Sequence, residues 1–337
     1  MIYRRFHRDD KGAVIHVLHA SFDSWRQRSE DHWTWKFEQN PHGLARIWVA
    51  EDGGRIAGCY IVNPVLLRAG VATILGGQAV DLAVHPDYRG RGVFTNLARK
   101  ALEESTGEGV ALVFAFAPEA SFGGSVRAGY QPQFAVPKTY CPLVGRITRW
   151  RQFGDLALSE VKKFDSRFAV FASGRHGEIS VQHDPEYLQW RYCENPARRY
   201  ETIVCERDGD ICGYCVLTAN ATRRLVSPGY VVDLQVVPGA ESAAAYLASH
   251  SLRRLRSLGV QIAVSWERPT GPEQAALEAC GFSSRYDSIR RRLTRRRLVE
   301  QFIAFEDEAW TARTLLGRQG LAGPLPWSLV PGDADYI

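Results

Sequence analysis

The sequence predicts a mixed α/β chain built from two copies of one fold. Three observations carry this. Short motifs recur in the same order about 150 residues apart. Apolar runs of strand length come early in each copy, and strand–helix alternation follows. One copy also carries a strand, a glycine-rich loop and a helix across residues 81–104.

The repeat comes first, because it sets the domain organisation. Trp35-Lys36-Phe37-Glu38-Gln39-Asn40-Pro41 matches Trp190-Arg191-Tyr192-Cys193-Glu194-Asn195-Pro196, at an offset of 190 − 35 = 155. The same offset carries Gly54–Gly58 onto Gly209–Gly213. Asp81-Leu82-Ala83-Val84-His85-Pro86 matches Asp233-Leu234-Gln235-Val236-Val237-Pro238 at 233 − 81 = 152, as does Gly129-Tyr130 with Gly281-Phe282. The expected division is a first copy over 1–140, a connecting segment over 141–178, a second copy over 179–297 and a tail over 298–337 that docks on the body. Three tail aromatics, Trp310, Trp327 and Tyr336, argue for that docking.

Within the first copy, Tyr3–His7 reads as a strand and Lys11–Ser24 as an amphipathic helix. Arg46–Glu51 and Arg55–Pro64 flank Asp52-Gly53-Gly54, a hairpin signal. Thr73–Val84 is a further strand, with a bulge expected near its glycines. Gly92–Glu104 has helical periodicity, Val110–Ala117 reads as a buried strand, and Ala120–Ala128 as a short helix.

The chemistry concentrates where the strand ending at Pro86 meets the helix. Backbone N–H groups in a helix's first turn have no partner inside the helix, and the helix dipole favours an anion there. Gly90 and Gly92 let the backbone approach that anion closely. Arg89 and Arg91 add charge-assisted hydrogen bonds. The expectation is a phosphate or pyrophosphate site; the plainer alternative is a glycine turn. A P-loop and a dinucleotide fingerprint are excluded, because no Gly-Lys-Ser/Thr and no G-x-G-x-x-G occurs here.

The segment Arg89-Gly90-Arg91-Gly92-Val93-Phe94 resembles the coenzyme A motif of the GNAT superfamily of N-acetyltransferases, with Phe94 where a small residue is usual. The resemblance covers about residues 1–140 and implies a tandem member whose second copy is degenerate. It implies acetyl-CoA as co-substrate, with its pyrophosphate on the amides of Arg89, Gly90, Arg91, Gly92, Val93, Phe94 and Thr95. The pantetheine arm would lie along Leu82, Ala83 and Val84, and the Leu82 N–H would polarise the thioester. The implied reaction is direct transfer of acetyl to a primary amine of a small molecule, such as an amino sugar, antibiotic or peptide-like amine. A longer acyl chain and a non-catalytic acyl-CoA scaffold are the alternatives.

The family's strand glutamate corresponds to Gln78 and its tyrosine acid to Ser125, so the usual base and acid are missing. Glu119, just past the strand Val110–Ala117, is the first candidate base. Asp81 is a second, although Asp233 at the matching place makes a structural role the competing reading. Asp333, Asp335 or the Ile337 carboxylate is a further possibility, as are water relays. Trp35 and His42 fall where the fold covers its acceptor, on an expected loop over Trp33–Pro41. Core packing is the competing role for Trp35.

The second copy reads Gly239-Ala240-Glu241 after Pro238 and lacks the arginine–glycine loop, so it is not expected to bind coenzyme A. Cys212-Gly213-Tyr214-Cys215 falls on an expected strand, where residues three apart face opposite sides; neither a redox motif nor a metal site follows. The net charge of +5, from 42 basic and 37 acidic side chains, is too small to argue for nucleic acid. An arginine run at Arg290–Arg297 reads as a solvated junction or an anion contact. No apolar stretch of spanning length occurs, so no membrane partner is expected. The seven scattered cysteines and the polar opening residues point to a cytoplasmic protein; oligomeric state is left open.

Overall fold

A computed structural model describes residues 1–25, 29–136, 138–145, 153–173, 178–219, 227–267, 271–285, 300–306, 327–330 and 333. The arginine run, Asp335 and Ile337 lie outside them.

The elements follow in chain order. They are β1 (Ile2–Arg5), α1 (Lys11–Ser21), α2 (Glu30–Trp33), β2 (Arg46–Asp52), β3 (Arg55–Ala69), β4 (Ala72–Val84), α3 (Val93–Gly107), β5 (Leu112–Ala117), α4 (Glu119–Ala128) and β6 (Gln131–Val136). Then come β7 (Lys138–Pro142), β8 (Ala157–Val161), β9 (Ile179–Val181), α5 (Pro185–Leu188), β10 (Glu201–Arg207), β11 (Asp210–Ala219), β12 (Pro228–Val236), α6 (Glu241–Ser257), β13 (Ile262–Trp266), α7 (Pro272–Ala279) and β14 (Glu300–Glu306). The chain is thus of mixed α/β class.

Two compact units form, and neither is one continuous stretch. The first takes Met1–Ala135, Arg175–Ser180 and Val299–Pro326; the second takes Val136–Gly174, Val181–Leu298 and Trp327–Ile337. In the first unit the strand order is β1-β2-β3-β4-β5-β14-β6, with β4 and β5 parallel. In the second it is β7-β13-β12-β11-β10-β8, with β12 and β13 parallel. One neighbour of β5, β14, therefore comes from beyond the second copy, and one neighbour of β13, β7, from the end of the first.

The sheet of the first unit is covered on both faces. Val93, Leu97, Ala98 and Ala101 of α3 pack on one face, against Trp48, Tyr60 and Val113. Val14, Val17 and Leu18 of α1 pack with Trp25, Trp33 and Phe37 on the other, against Ile47, Val49 and Ile61. This two-sided burial explains why β5 reads as a continuous apolar run.

The repeat extends to local geometry. The turn Thr34–Glu38 is a π-helix, and so is its match, Gln189–Cys193. Ala57 bulges out of the β2–β3 ladder, and Cys212 bulges at the same place between β10 and β11. The carbonyl of Ala57 accepts from the His85 N–H, and that of Cys212 accepts from the Val237 N–H, both at 2.9 Å.

Three local expectations need correction. Residues 33–41 are not an open loop, because α2 runs into the π-turn and buries Trp33, Trp35 and Phe37. The bulge of β4 is not at its glycines. Gly76 and Gly77 are instead places where a Cβ would lie 2.5 Å from Leu67 and from Val62 across the ladder. And the bulge at Cys212 cancels the strand alternation, so Cys212 and Cys215 enter the same core cluster. Neither forms a disulfide.

Candidate active site

The ladder between β4 and β5 pairs Gly76 with Leu112, Gly77 with Val113 and Gln78 with Phe114, and ends there. Beyond Gln78 the two parallel strands part. Leu82, Ala83 and Val84 lie on the diverging end of β4 and keep their pairing to β3 only at Ala83 and Val84.

The true bulge of β4 sits at this opening. Cys59 pairs with Ala83 and Ile61 pairs with Val80, so Asp81 and Leu82 together face the single residue Tyr60. Asp81 absorbs the kink with a φ of 48°, in the left-handed region that aspartate tolerates better than most side chains. Its carboxylate is enclosed. Trp25 Nε1–H donates to Oδ1 at 2.6 Å, and the Lys36 ammonium pairs with Oδ2. The Lys36 side chain is fully buried, among the rings of Trp25 and Phe37.

Past β4 a single 3-10 turn, Pro86–Tyr88, leads into the loop. Gly90 and Gly92 both adopt φ of 75°, and open space surrounds Gly90 where a Cβ would stand. Gly92 caps α3 without any side-chain cap, and no acidic residue occupies the first turn. The amides of Val93, Phe94 and Thr95 are therefore presented to an incoming group, with Arg89 and Arg91 exposed beside them. This is a cradle suited to a pyrophosphate. Arg91 also lies over the Tyr88 ring at 5.3 Å. Arg89 is partly committed, since its Nε–H donates to the Val84 carbonyl at 3.3 Å. Ser21 Oγ–H donates to that carbonyl too, so this edge acceptor of β4 is already in use.

Phe94 finds room through a partner absent from the motif. Its ring meets Tyr60 edge-on at 6.3 Å, and a Cβ on Gly124 of α4 would lie 2.7 Å from it. A bulky residue on α3 is thus matched by a missing side chain on α4.

Glu119 is exposed in the first turn of α4, two residues past the end of β5. Gln78 is buried on β4. Ser125 is buried as well, and its hydroxyl donates to the Ser121 carbonyl at 3.1 Å. Nearby, the hydroxyls of Tyr60 and Tyr130 meet at 2.7 Å inside the core. Burial pushes both phenols up, away from ionisation. Trp35 is buried and its ring meets that of His32 at 5.2 Å. His42 Nδ1 accepts from the Leu66 N–H at 3.1 Å, which pins the segment after the π-turn to β3. The enclosure of Asp81 and the Phe94–Gly124 match had no signal in either copy's sequence alone.

The second unit differs at the loop before its helix and in the surroundings of the matched aspartate. Four residues, 237–240, separate β12 from α6, against the eight residues 85–92 in the first unit. Glu241 occupies the first turn of α6, and Ala240 before it is buried. Asp233 accepts hydrogen bonds from Tyr214 at 2.8 Å and Tyr192 at 3.2 Å. His183 Nε2 lies 2.9 Å from Asp333 Oδ1, and Asp333 Oδ2 accepts from the Val330 N–H. Asp333, one of the tail carboxylates considered as a base, is thus buried with both oxygens engaged inside the second unit. Among the described residues no group of three or more His, Cys, Asp or Glu side chains is arranged to hold a metal, and no helix is long and apolar enough to cross a membrane.

Residues 2–132 match the family model described as an acetyltransferase (GNAT) domain. No curated protein matches the sequence. Among solved structures, a GCN5-related N-acetyltransferase from Anabaena variabilis is similar at 15% identity, covering 90% of this chain and 72% of the other, with a TM-score of 0.68. A probable N-acyltransferase from Enterococcus faecalis is similar at 12% identity, with the same coverages and a TM-score of 0.67. A tandem GNAT protein from the clavulanic acid biosynthesis pathway is similar at 14% identity, over 90% of this chain and 98% of its own, with a TM-score of 0.57.

Proposed function

We propose that the chain, whose residues 2–132 match a GNAT acetyltransferase domain model, is an acetyl-CoA-dependent N-acetyltransferase whose acceptor is a primary amine on a small molecule. Acyl transfer follows from the family; the acceptor class is the inference. The observation that carries the coenzyme part of this reading is the opening between β4 and β5, which runs from the bulge at Leu82 to the uncapped start of α3. A coenzyme with a long flexible arm and an anionic pyrophosphate suits that shape.

In this reading the arm lies along Leu82–Val84 and the pyrophosphate rests on the amides from Gly90 to Thr95. The Leu82 N–H donates to the thioester carbonyl, which raises its electrophilicity. The acceptor nitrogen, as the free amine, attacks that carbon. A tetrahedral oxyanion forms, the C–S bond breaks, and the proton lost from nitrogen balances the departing thiolate. Glu119 is the proposed base, an exposed carboxylate at the mouth of the opening. The cytoplasm is the proposed setting.

A second reading, a non-catalytic acyl-CoA scaffold, draws on Gln78 and Ser125, which stand where the family's base and acid are usual. Incubation with acetyl-CoA and a library of amino sugars, aminoglycosides and short peptides separates the two. Thiol release with at least one amine, lowered tenfold or more in Glu119→Gln, is expected. Tight coenzyme binding without turnover across the library would leave the scaffold. Failure to bind acetyl-CoA would remove both readings.

A further inference from the structure

The least economical feature of the first unit is a buried ion pair one residue from Leu82. Lys36 has no exposed side-chain surface, and the Asp81 side chain is 10% exposed. Replacing such a pair by apolar side chains is often neutral or stabilising, whereas removing one partner strands a charge. Bulk stability therefore gives little reason to keep it, and what the pair specifies is geometry.

That geometry is specific. Asp81 is the left-handed residue of the bulge, so its backbone is the part of β4 least held by ladder pairing. Its two carboxylate oxygens are fastened to different places, one to Trp25 past the end of α1 and the other to Lys36 in the π-turn. The π-turn is itself fastened, since Asn63 Nδ2–H of β3 donates to the Lys36 carbonyl at 3.4 Å. The segment from α2 through the π-turn is thereby tied to the orientation of the peptide between Asp81 and Leu82. In the second unit Asp233 meets the tyrosine hydroxyls described above, and no left-handed φ occurs at that residue. β12 also slips register beside Asp233, at Val232, so what sets the first unit apart is the left-handed backbone at Asp81.

We propose that the Lys36–Asp81 pair, braced by Trp25, is a positioning latch that sets the direction of the Leu82 N–H and couples it to the helical segment Glu30–Glu38. This rests on the coenzyme reading given above. Asp81 and Lys36 act through Leu82 and do not touch the substrate.

The test reads the carbonyl and needs no acceptor. The full chain is loaded with acetyl-CoA carrying a 13C-labelled acetyl carbonyl, and the bound thioester band is recorded by infrared difference spectroscopy. In the unaltered protein the band is expected below its position in water. In Lys36→Met/Asp81→Asn, which removes both charges together, it is expected to return towards the free position while coenzyme affinity stays within about threefold. Lys36→Arg, which preserves the pair, is expected to keep the lowered band. Asp81→Glu keeps both charges but lengthens the link by a methylene, and is expected to displace the band even if the double variant fails to fold. A band unchanged in the folded double variant, or in Asp81→Glu, overturns the latch. An unshifted band in the unaltered protein with coenzyme bound overturns the role of Leu82 and the latch with it. Absence of coenzyme binding overturns the coenzyme reading itself.

Discussion

Arg91 and Phe94 sit three residues apart and were not equally legible. Arg91 is a charge beside a glycine loop, and its exposure at the start of α3 follows from the motif. Arg91→Glu is expected to weaken acetyl-CoA binding at least tenfold, by about 1.4 kcal/mol or more, and titration calorimetry measures it. Phe94 departs from the motif, and only the fold shows how it is housed. A side chain at Gly124 would meet its ring at 2.7 Å. Gly124→Ala should therefore cost roughly 1–3 kcal/mol by overpacking, seen as a lower denaturant midpoint. Adding Phe94→Leu should recover part of that loss. No spacing rule connects residues 94 and 124, so a sequence reading could not pair them.

At the level of elements, periodicity gave the strands and helices but not their defects. β4 was readable as a strand, yet its bulge lies at Asp81 and not at the glycines, because Leu67 and Val62 fill the space above Gly76 and Gly77. The two cysteines of Cys212–Cys215 share a core because one residue slips out of the ladder. Helix α6 adds a pH effect. Burial first, and the neighbouring Arg253 second, hold the His250 imidazole below its ordinary value. The unfolded chain then takes up the proton first as pH falls. The stability contribution of neutral His250 is present above the unfolded value near 6.5 and is lost as pH drops through the folded value. His250→Gln should flatten the fall in denaturant midpoint between roughly pH 7 and pH 5, which urea titrations across that range check.

At the scale of the molecule, the repeat predicted two copies, and the structure builds two units that are not contiguous. β14 completes the sheet that begins at β1, and β7 joins the sheet of the second unit. A fragment ending at residue 140 would leave β5, every residue of which is buried, without its neighbour β14. Unpaired apolar edges associate. Such a fragment is expected to aggregate or self-associate in size-exclusion chromatography, whereas a soluble monomer would contradict the importance of β14. This exchange was invisible in the sequence because β14 lies 183 residues beyond the end of β5, since 300 − 117 = 183. Local patterns reveal a strand, not its partner.

The sequence by itself determined the mixed α/β class, the repeat and the glycine loop between β4 and α3, because each is written in short-range periodicity or in backbone requirements of single residues. Glycines at 90 and 92 announce left-handed turns wherever they fold. Only the tertiary structure decided which strands adjoin, where β4 bulges and what Asp81 touches. Those depend on contacts between Trp25, Lys36 and Asp81, which are 11 and 45 residues apart along the chain, since 36 − 25 = 11 and 81 − 36 = 45. The Asp81 carboxylate, which in sequence reads as a candidate base or as a scaffold, has its partners in Trp25 and Lys36. Partner choice of that kind is fixed by packing and charge burial, which no single segment encodes.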